Sequence, residues 1–192
     1  MDKVQTTVEE TEYKGANINK AMKLFFLKLV GLIIAWESLY IFLLKPLRIP
    51  DAFLTHTLTG AVSGAINLFF RLSQPVTWVI DNVHNADHIQ QYGKTILTIF
   101  DDCNGLDLYL IYLVFLVLLP FSIKRKLKFS LIGIVSIFIG NVFRCMGLYW
   151  IYVHHRGIFE FNHHYVFTIM MYLIILVCWI FFTRKPKVNE IG

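Results

Sequence analysis

The chain has 192 residues, of which 56% are hydrophobic and 16% are charged. Soluble domains carry about 25% charged residues, so this composition indicates a membrane protein and excludes an ordinary soluble domain. The net charge is +5, and the basic residues cluster just beyond apolar runs, which is typical of membrane orientation rather than nucleic-acid binding. We therefore expect the lipid bilayer as a partner and no nucleic acid.

Four apolar runs have about the 20 residues that a transmembrane helix needs; they are 24–44, 106–123, 129–153 and 165–182. The basic clusters at 124–128 and 184–187 should both be cytoplasmic by the positive-inside rule, and two spans lie between them, so the assignments agree. Residues 1–21 are then a cytoplasmic polar tail, and residues 22–192 form a single membrane-embedded domain.

The segment 53–70 is apolar but interrupted by polar residues. If the first span runs from inside to outside, this segment must begin and end outside, so we expect an interfacial or re-entrant helix. Five spans with an external N-terminus are the alternative. Residues 72–102 are polar and end in the β-prone run 95–100, which predicts a short outer-face element such as a small hairpin. The expected fold is an all-α integral membrane protein with about four transmembrane helices, the interfacial helix and this element.

Three polar residues lie in or beside the last three apolar runs, and the predicted topology places all of them toward the outer face. Cys103 precedes the second span, Arg144 lies within the third, and His164 immediately precedes the fourth. A thiol, a cation and an imidazole at one membrane face are the groups that thiol acyl transfer requires.

Each of these residues also has a simpler interpretation. A helix N-terminus and a nearby cation would lower the pKa of Cys103, but a cysteine at a helix start can also be merely a small residue. A guanidinium in hydrocarbon is costly and usually functional, and Asn141 lies one turn earlier, where it can orient Arg144. An ion pair between Arg144 and Glu37 is the structural alternative.

The histidines could act as general base and then general acid, or they could be solvated loop residues. His154 and His155 lie in the same loop as His163 and His164. These four do not form the separated pairs with acids or thiols that are typical of zinc sites, so we predict no metal and no cofactor. Cys145 and Cys178 lie within apolar spans and are expected to be packing residues.

Three motifs resemble those of the exosortase/archaeosortase family. Cys103-Asn104-Gly105-Leu106 resembles its Cys-Ser/Asn-Gly-Leu/Ile signature, and Asn141-Val142-Phe143-Arg144 resembles its Asn-x-x-Arg motif. The pair His163-His164 resembles its terminal histidine position, and the short chain resembles the compact Bacteroidetes-type members. The match covers residues from about 90 to 183, and the N-terminal half carries no such motif.

This resemblance implies a membrane-embedded cysteine transpeptidase or protease of the bacterial inner membrane, with its active site facing the periplasm. Such enzymes cleave the C-terminal sorting signal of exported proteins, which comprises a short motif, a transmembrane helix and a basic tail, through a thioester acyl-enzyme. Their partners are those substrate proteins and a possible lipid or glycan acceptor.

By the same resemblance, Cys103 would be the nucleophile, Arg144 the electrostatic stabiliser and His164 the acid/base, with His163 as the alternative. Family members tend to have a small residue four positions after the histidine, and Thr168 stands there for His164. Asn141, Asn104 and Gly105 would support them. The rival function is a non-enzymatic transporter, or an assembly subunit for polysaccharide or protein export, in which Cys103 would be dispensable.

Overall fold

A computed structural model describes residues 2–70 and 72–184 of the chain, with side chains at residue 20 and, among these residues, from 22 onward. The predicted basic cluster 184–187 therefore lies mostly outside the described residues. The α-helices are α1 (Asp2–Leu39), α2 (Lys45–Leu47), α3 (Ile49–Phe69), α4 (Leu106–Leu118), α5 (Ile123–His154), α6 (Phe159–Phe161) and α7 (Phe167–Thr183).

Within the described residues, three helices are long and apolar enough to cross a membrane; they are Met22–Leu47, Ile123–His154 and Arg156–Thr183. The last is composite, because a 3₁₀ turn, α6 and the π-helical segment Asn162–Val166 lead without a break into α7. His163 and His164 therefore lie inside this helix rather than ahead of it, which corrects the predicted start of the final span.

The predicted span 106–123 is a shorter apolar helix, and the expectation of four full-length spans is wrong at this point. At 1.5 Å per residue, the 13 residues of α4 extend about 20 Å, whereas a hydrocarbon core is about 30 Å thick. The helix stops because Leu119 is extended and precedes Pro120, which disfavours helical backbone before it and cannot donate a helical hydrogen bond.

The predicted interfacial segment 53–70 lies within α3 except for its last residue, and α3 is not among the helices of membrane-spanning character. Leu58, Val62 and Ile66 form its buried face and pack with the sheet and with Met146 and Tyr149 near the C-terminus of α5. This packing keeps α3 at one end of the helix bundle, which we call the sheet end.

A three-stranded antiparallel sheet replaces the small hairpin expected in the polar region, so the all-α prediction is wrong here. Its strands are β1 (Thr77–Asp81), β2 (Ala86–Gln91) and β3 (Lys94–Phe100), in that order. Tyr92 and Gly93 connect β2 to β3, and both have positive φ (52° and 72°), as a two-residue type I′ hairpin requires. The β-prone run 95–100 lies within β3, as predicted.

Arg125 connects α5 to α7 at the end of the bundle opposite the sheet end. Its guanidinium is buried and donates to the carbonyl oxygens of Phe182 and Arg184 at the end of α7. The start of α5 and the end of α7 are therefore neighbours, as expected for two antiparallel helices whose basic flanks share one side.

Gly133 allows α4 and α5 to approach closely. A Cβ at this position would overlap the ring of Tyr112, a fully buried residue whose hydroxyl donates to the Phe129 carbonyl at 2.7 Å. Small residues at helix crossings have this role in membrane bundles.

We predict that Gly133→Ala destabilises the fold by about 1–3 kcal/mol, the usual cost of overpacking a core. Thermal unfolding of the purified protein in detergent would measure it as a lower Tm. Gly64→Ala is the matched control, because a Cβ added at this position of α3 would meet nothing within 4 Å, and it should leave the Tm unchanged or slightly higher. Equal Tm values for the two variants would contradict the close α4–α5 contact.

Candidate functional site

A cavity of about 310 Å³ at the sheet end brings together the residues predicted to be catalytic. Cys103, Arg144, His163 and His164 all line it. Its other walls are mostly apolar and aromatic, apart from Thr98 and Glu160; they comprise β3 residues 96–100 together with Cys145, Leu148, Tyr152, Phe159 and Glu160. Four residues from three separate stretches of the sequence therefore line one cavity.

The thiol lies in a tight turn that leads into α4. Asp101–Cys103 form a 3₁₀ turn, and Asn104 accepts a hydrogen bond from the Leu106 N–H at 2.8 Å. Gly105 has φ +88°, a left-handed conformation in which glycine is favoured. A Cβ there would also lie 3.0 Å from the Asn141 side-chain nitrogen. Both constraints explain why glycine stands at this position.

Two side chains of α5 hold this turn through consecutive backbone carbonyls. Arg144 Nη2 donates to the Cys103 carbonyl oxygen at 2.6 Å, and Asn141 Nδ2 donates to the Asn104 carbonyl oxygen at 2.8 Å. Residues three apart share one face of a helix, so α5 presents both donors to the same turn. The ion pairs of the described residues do not join Arg144 to Glu37.

One buried donor atom of Arg144 has no hydrogen-bond partner in the part of the chain that the structure describes. Its Nε is buried and has no hydrogen-bond partner among the described residues, while the side chain lines the cavity. Leaving a buried donor unpaired costs about 1–3 kcal/mol, and such groups in native structures call for a functional or structural reason. An oxyanion formed beside Cys103 would be a suitable acceptor for a cationic donor of this kind.

The N-terminal half holds the same turn from the other side, through residues that were not predicted from the sequence. Arg48 forms a bidentate ion pair with Asp101, from Nε to Oδ2 at 2.7 Å and from Nη2 to Oδ1 at 3.0 Å. The Thr55 hydroxyl donates to Asp101 Oδ1 at 2.7 Å. Asn104 Nδ2 donates to Asp51 Oδ1 at 3.1 Å. One signal was available in the sequence: in the expected topology Arg48 would be an outer-face cation against the positive-inside rule, and such a cation calls for an acidic partner.

Burial decides the protonation of the thiol. It raises the pKa of Cys103, the Arg144 charge opposes this rise, and the Asp102 charge adds to it. Asp101 is buried in its pair with Arg48, whereas Asp102 is exposed. A lowered pKa was expected for Cys103, because a helix start and a cation are visible in a sequence and the degree of burial is not. The resting thiol is therefore protonated near neutral pH.

The histidines occupy the π-helical segment Asn162–Val166. His163 is half-buried and its ring stacks on Phe159 at 6.0 Å between centroids. His164 is 64% exposed, and its Nε2 lies 3.3 Å from Glu160 Oε2. Glu160 was also missed, although its i,i+4 spacing from His164 is the spacing of side chains that meet on a helix.

The three cysteines differ in their surroundings. Cys145 is buried yet lines the same cavity as Cys103, whereas Cys178 is buried in the cluster between α4, α5 and α7. Only Cys103 is half-exposed and lies in a turn.

No protein-family model, curated protein or solved structure matches this chain. Any functional conclusion therefore depends on the cavity itself and on the three motifs that line or support it.

We predict that the pH at which labelling of Cys103 by a thiol-reactive probe is half-maximal lies above the value of about 8.5 for a free thiol. Removing the cation in Arg144→Ala should move this midpoint still higher, and removing the anion in Asp102→Asn should move it lower. Mass spectrometry on a Cys145→Ala/Cys178→Ala background would follow the single thiol.

Asp102 is exposed, so Asp102→Asn provides a test that does not depend on a buried residue. A midpoint below that of a free thiol, or an Asp102→Asn profile shifted upward, would contradict the electrostatic description.

Proposed function

We propose that this chain is an exosortase-like cysteine transpeptidase or protease embedded in the bacterial inner membrane. The observation that carries the proposal is the single cavity shared by a thiol, a guanidinium with an unpaired buried N–H, and two imidazoles. A thiol nucleophile, an oxyanion donor and a proton acceptor form a complete set for acyl transfer.

The proposed orientation follows from the two ends of the bundle. Arg125 and the neighbouring basic residues of α5 lie at the end opposite the cavity, and basic flanks favour the cytoplasm. The cavity and the sheet then face the periplasm, where an exported protein presents its C-terminal transmembrane segment.

In the first step, His164 accepts the proton of the Cys103 thiol while the sulfur attacks the carbonyl carbon of the scissile peptide. A carbon–sulfur bond forms, and the carbonyl oxygen gains negative charge, which Arg144 stabilises through its free Nε–H. The carbon–nitrogen bond then breaks, and the protonated His164 returns the proton to the leaving amine. The products are a thioester on Cys103 and a released C-terminal segment.

In the second step, an amine acceptor or water attacks the thioester. His164 accepts a proton from the attacking group, the carbon–sulfur bond breaks, and the proton passes to the Cys103 sulfur. A lipid or glycan amine would anchor the product, whereas water would release it.

β3 offers a path for the substrate backbone. Five consecutive β3 residues, 96–100, line the cavity and lead toward Cys103. Within the described sheet, β3 is an edge strand, and edge strands bind extended peptides by adding them as a further strand. The residues before the scissile bond would therefore lie extended along β3.

We predict that Cys103→Ser abolishes processing, because the less acidic hydroxyl of serine is a poor substitute in a site built for a thiol. Cells of the source organism that lack the chain would be complemented with the wild type, Cys103→Ser or Cys145→Ser. Proteomics of C-terminal peptides would then identify exported proteins that keep their terminal transmembrane segment.

Cys145→Ser is the matched control, because it alters a buried thiol of the same cavity, and it should process normally. Membrane levels of the variants are compared by immunoblot. Normal processing by Cys103→Ser, at a membrane level equal to that of the wild type, would contradict the proposal and favour the transporter or assembly-subunit function.

We further predict that His164→Ala slows processing by roughly 10²–10⁴-fold, the usual contribution of a general base. His163→Ala should slow it less, since it removes a ring that stacks on Phe159 but not the proposed proton acceptor. Pulse-chase measurement on a substrate found by proteomics gives both rates. The opposite order of rates would assign the base to His163.

A further inference from the structure

Glu160, His163 and His164 form a compact cluster at the cavity. One ligand atom from each of them lies within 4.8 Å of those of the other two. His164 Nε2 and Glu160 Oε2 are already 3.3 Å apart, whereas zinc ligands at about 2.0–2.2 Å in a tetrahedron are roughly 3.3–3.6 Å apart. We propose that these three side chains bind a zinc ion.

The local helix geometry explains how the three side chains converge. Glu160 precedes the histidines by three and four residues, which is the spacing of neighbours on a helix surface. The histidines are consecutive, and the π-helical segment that carries them places their ring centroids 4.9 Å apart. Phe159 stacks on the His163 ring with an interplanar angle of 13°, so one ligand is already oriented.

The donor set fits zinc. Two imidazoles and one carboxylate form the His₂Glu set found in zinc enzymes, with a fourth position left for water or substrate. All three residues line the cavity, so this fourth position is accessible. Arg144, which also lines the cavity, carries a positive charge like that of the ion, and the Glu160 carboxylate supplies a compensating negative charge.

This site modifies the expectation of no metal. That expectation considered the four histidines of the region as metal ligands without a nearby carboxylate, and Glu160 provides this carboxylate. His154 and His155 are not part of the cluster; His154 Nδ1 instead contacts the Trp150 carbonyl oxygen at 3.0 Å.

One consequence rests on the proposed function. Zinc would occupy the lone pair of His164 that accepts the Cys103 proton, so the zinc-bound and catalytically competent forms would exclude one another. Zinc would then act as an inhibitor of the proposed cleavage.

The test is zinc titration of the full-length, tag-free protein in detergent by calorimetry, carried out in the Cys103→Ser variant so that neither catalysis nor this thiol contributes. We expect one ion per chain and at least tenfold weaker binding in Glu160→Gln and in His164→Ala. The matched control is His154→Ala, a histidine of the same region outside the cluster, which should bind as the parent does. Cobalt in place of zinc should give the visible absorption bands of a low-coordinate nitrogen and oxygen site.

Absence of stoichiometric zinc binding would overturn the inference, as would binding unchanged in Glu160→Gln or lost equally in His154→Ala. Tm values establish that each variant is folded. Because the readout is binding to a variant without the nucleophile, its failure leaves the cleavage experiments untouched, and a failure of cleavage leaves the zinc result standing.

Discussion

The hydrogen bond from Arg144 to the Cys103 carbonyl is the contact on which the architecture of the cavity depends. A guanidinium within a helix of membrane-spanning length is costly unless it finds a polar partner, and a backbone carbonyl at 2.6 Å is that partner. Asn141 takes the next carbonyl, so α5 fixes two successive peptide groups. The turn that carries the thiol cannot move independently of the helix that carries the cation, and Gly105 is required because this approach is close.

The N-terminal half completes the support. Arg48 and Thr55 hold the Asp101 carboxylate, and Asp51 accepts from Asn104, so the same short turn is restrained from two directions. These contacts also neutralise one of the two acids beside the thiol. Precise positioning by a second layer of residues is what a reactive site requires. In the proposed function, the half of the chain without a recognisable motif would therefore position the turn and take no part in the chemistry.

The residues singled out in the sequence for their chemistry line one cavity, whereas the fold differs from its expectation at α4 and at the sheet. Arg144 can be recognised from the sequence because placing a charge in hydrocarbon costs free energy. The run 95–100 can be recognised because its composition is β-prone. Pro120 indicates that α4 must end early, but the apolar run continues past it to residue 123, so hydrophobicity alone predicts a longer helix. Arg48 and Asp101 are 53 positions apart, and no periodicity relates such distant partners. The burial that raises the pKa of Cys103 was unpredictable for the same reason, since it arises from the packing of distant segments.

A cysteine can be activated in two ways, and the surroundings of Cys103 distinguish between them. A permanent ion pair with histidine requires a lowered thiol pKa, whereas burial raises the pKa of Cys103 and the Arg144 charge only partly compensates. A protonated thiol is a poor nucleophile and also resists oxidation, because reactivity follows thiolate character. The proposed chemistry therefore needs a base at the moment of attack, which gives the adjacent imidazoles a purpose that a preformed thiolate would not require. By the same logic, any ion that binds those imidazoles would control the thiol without contacting it.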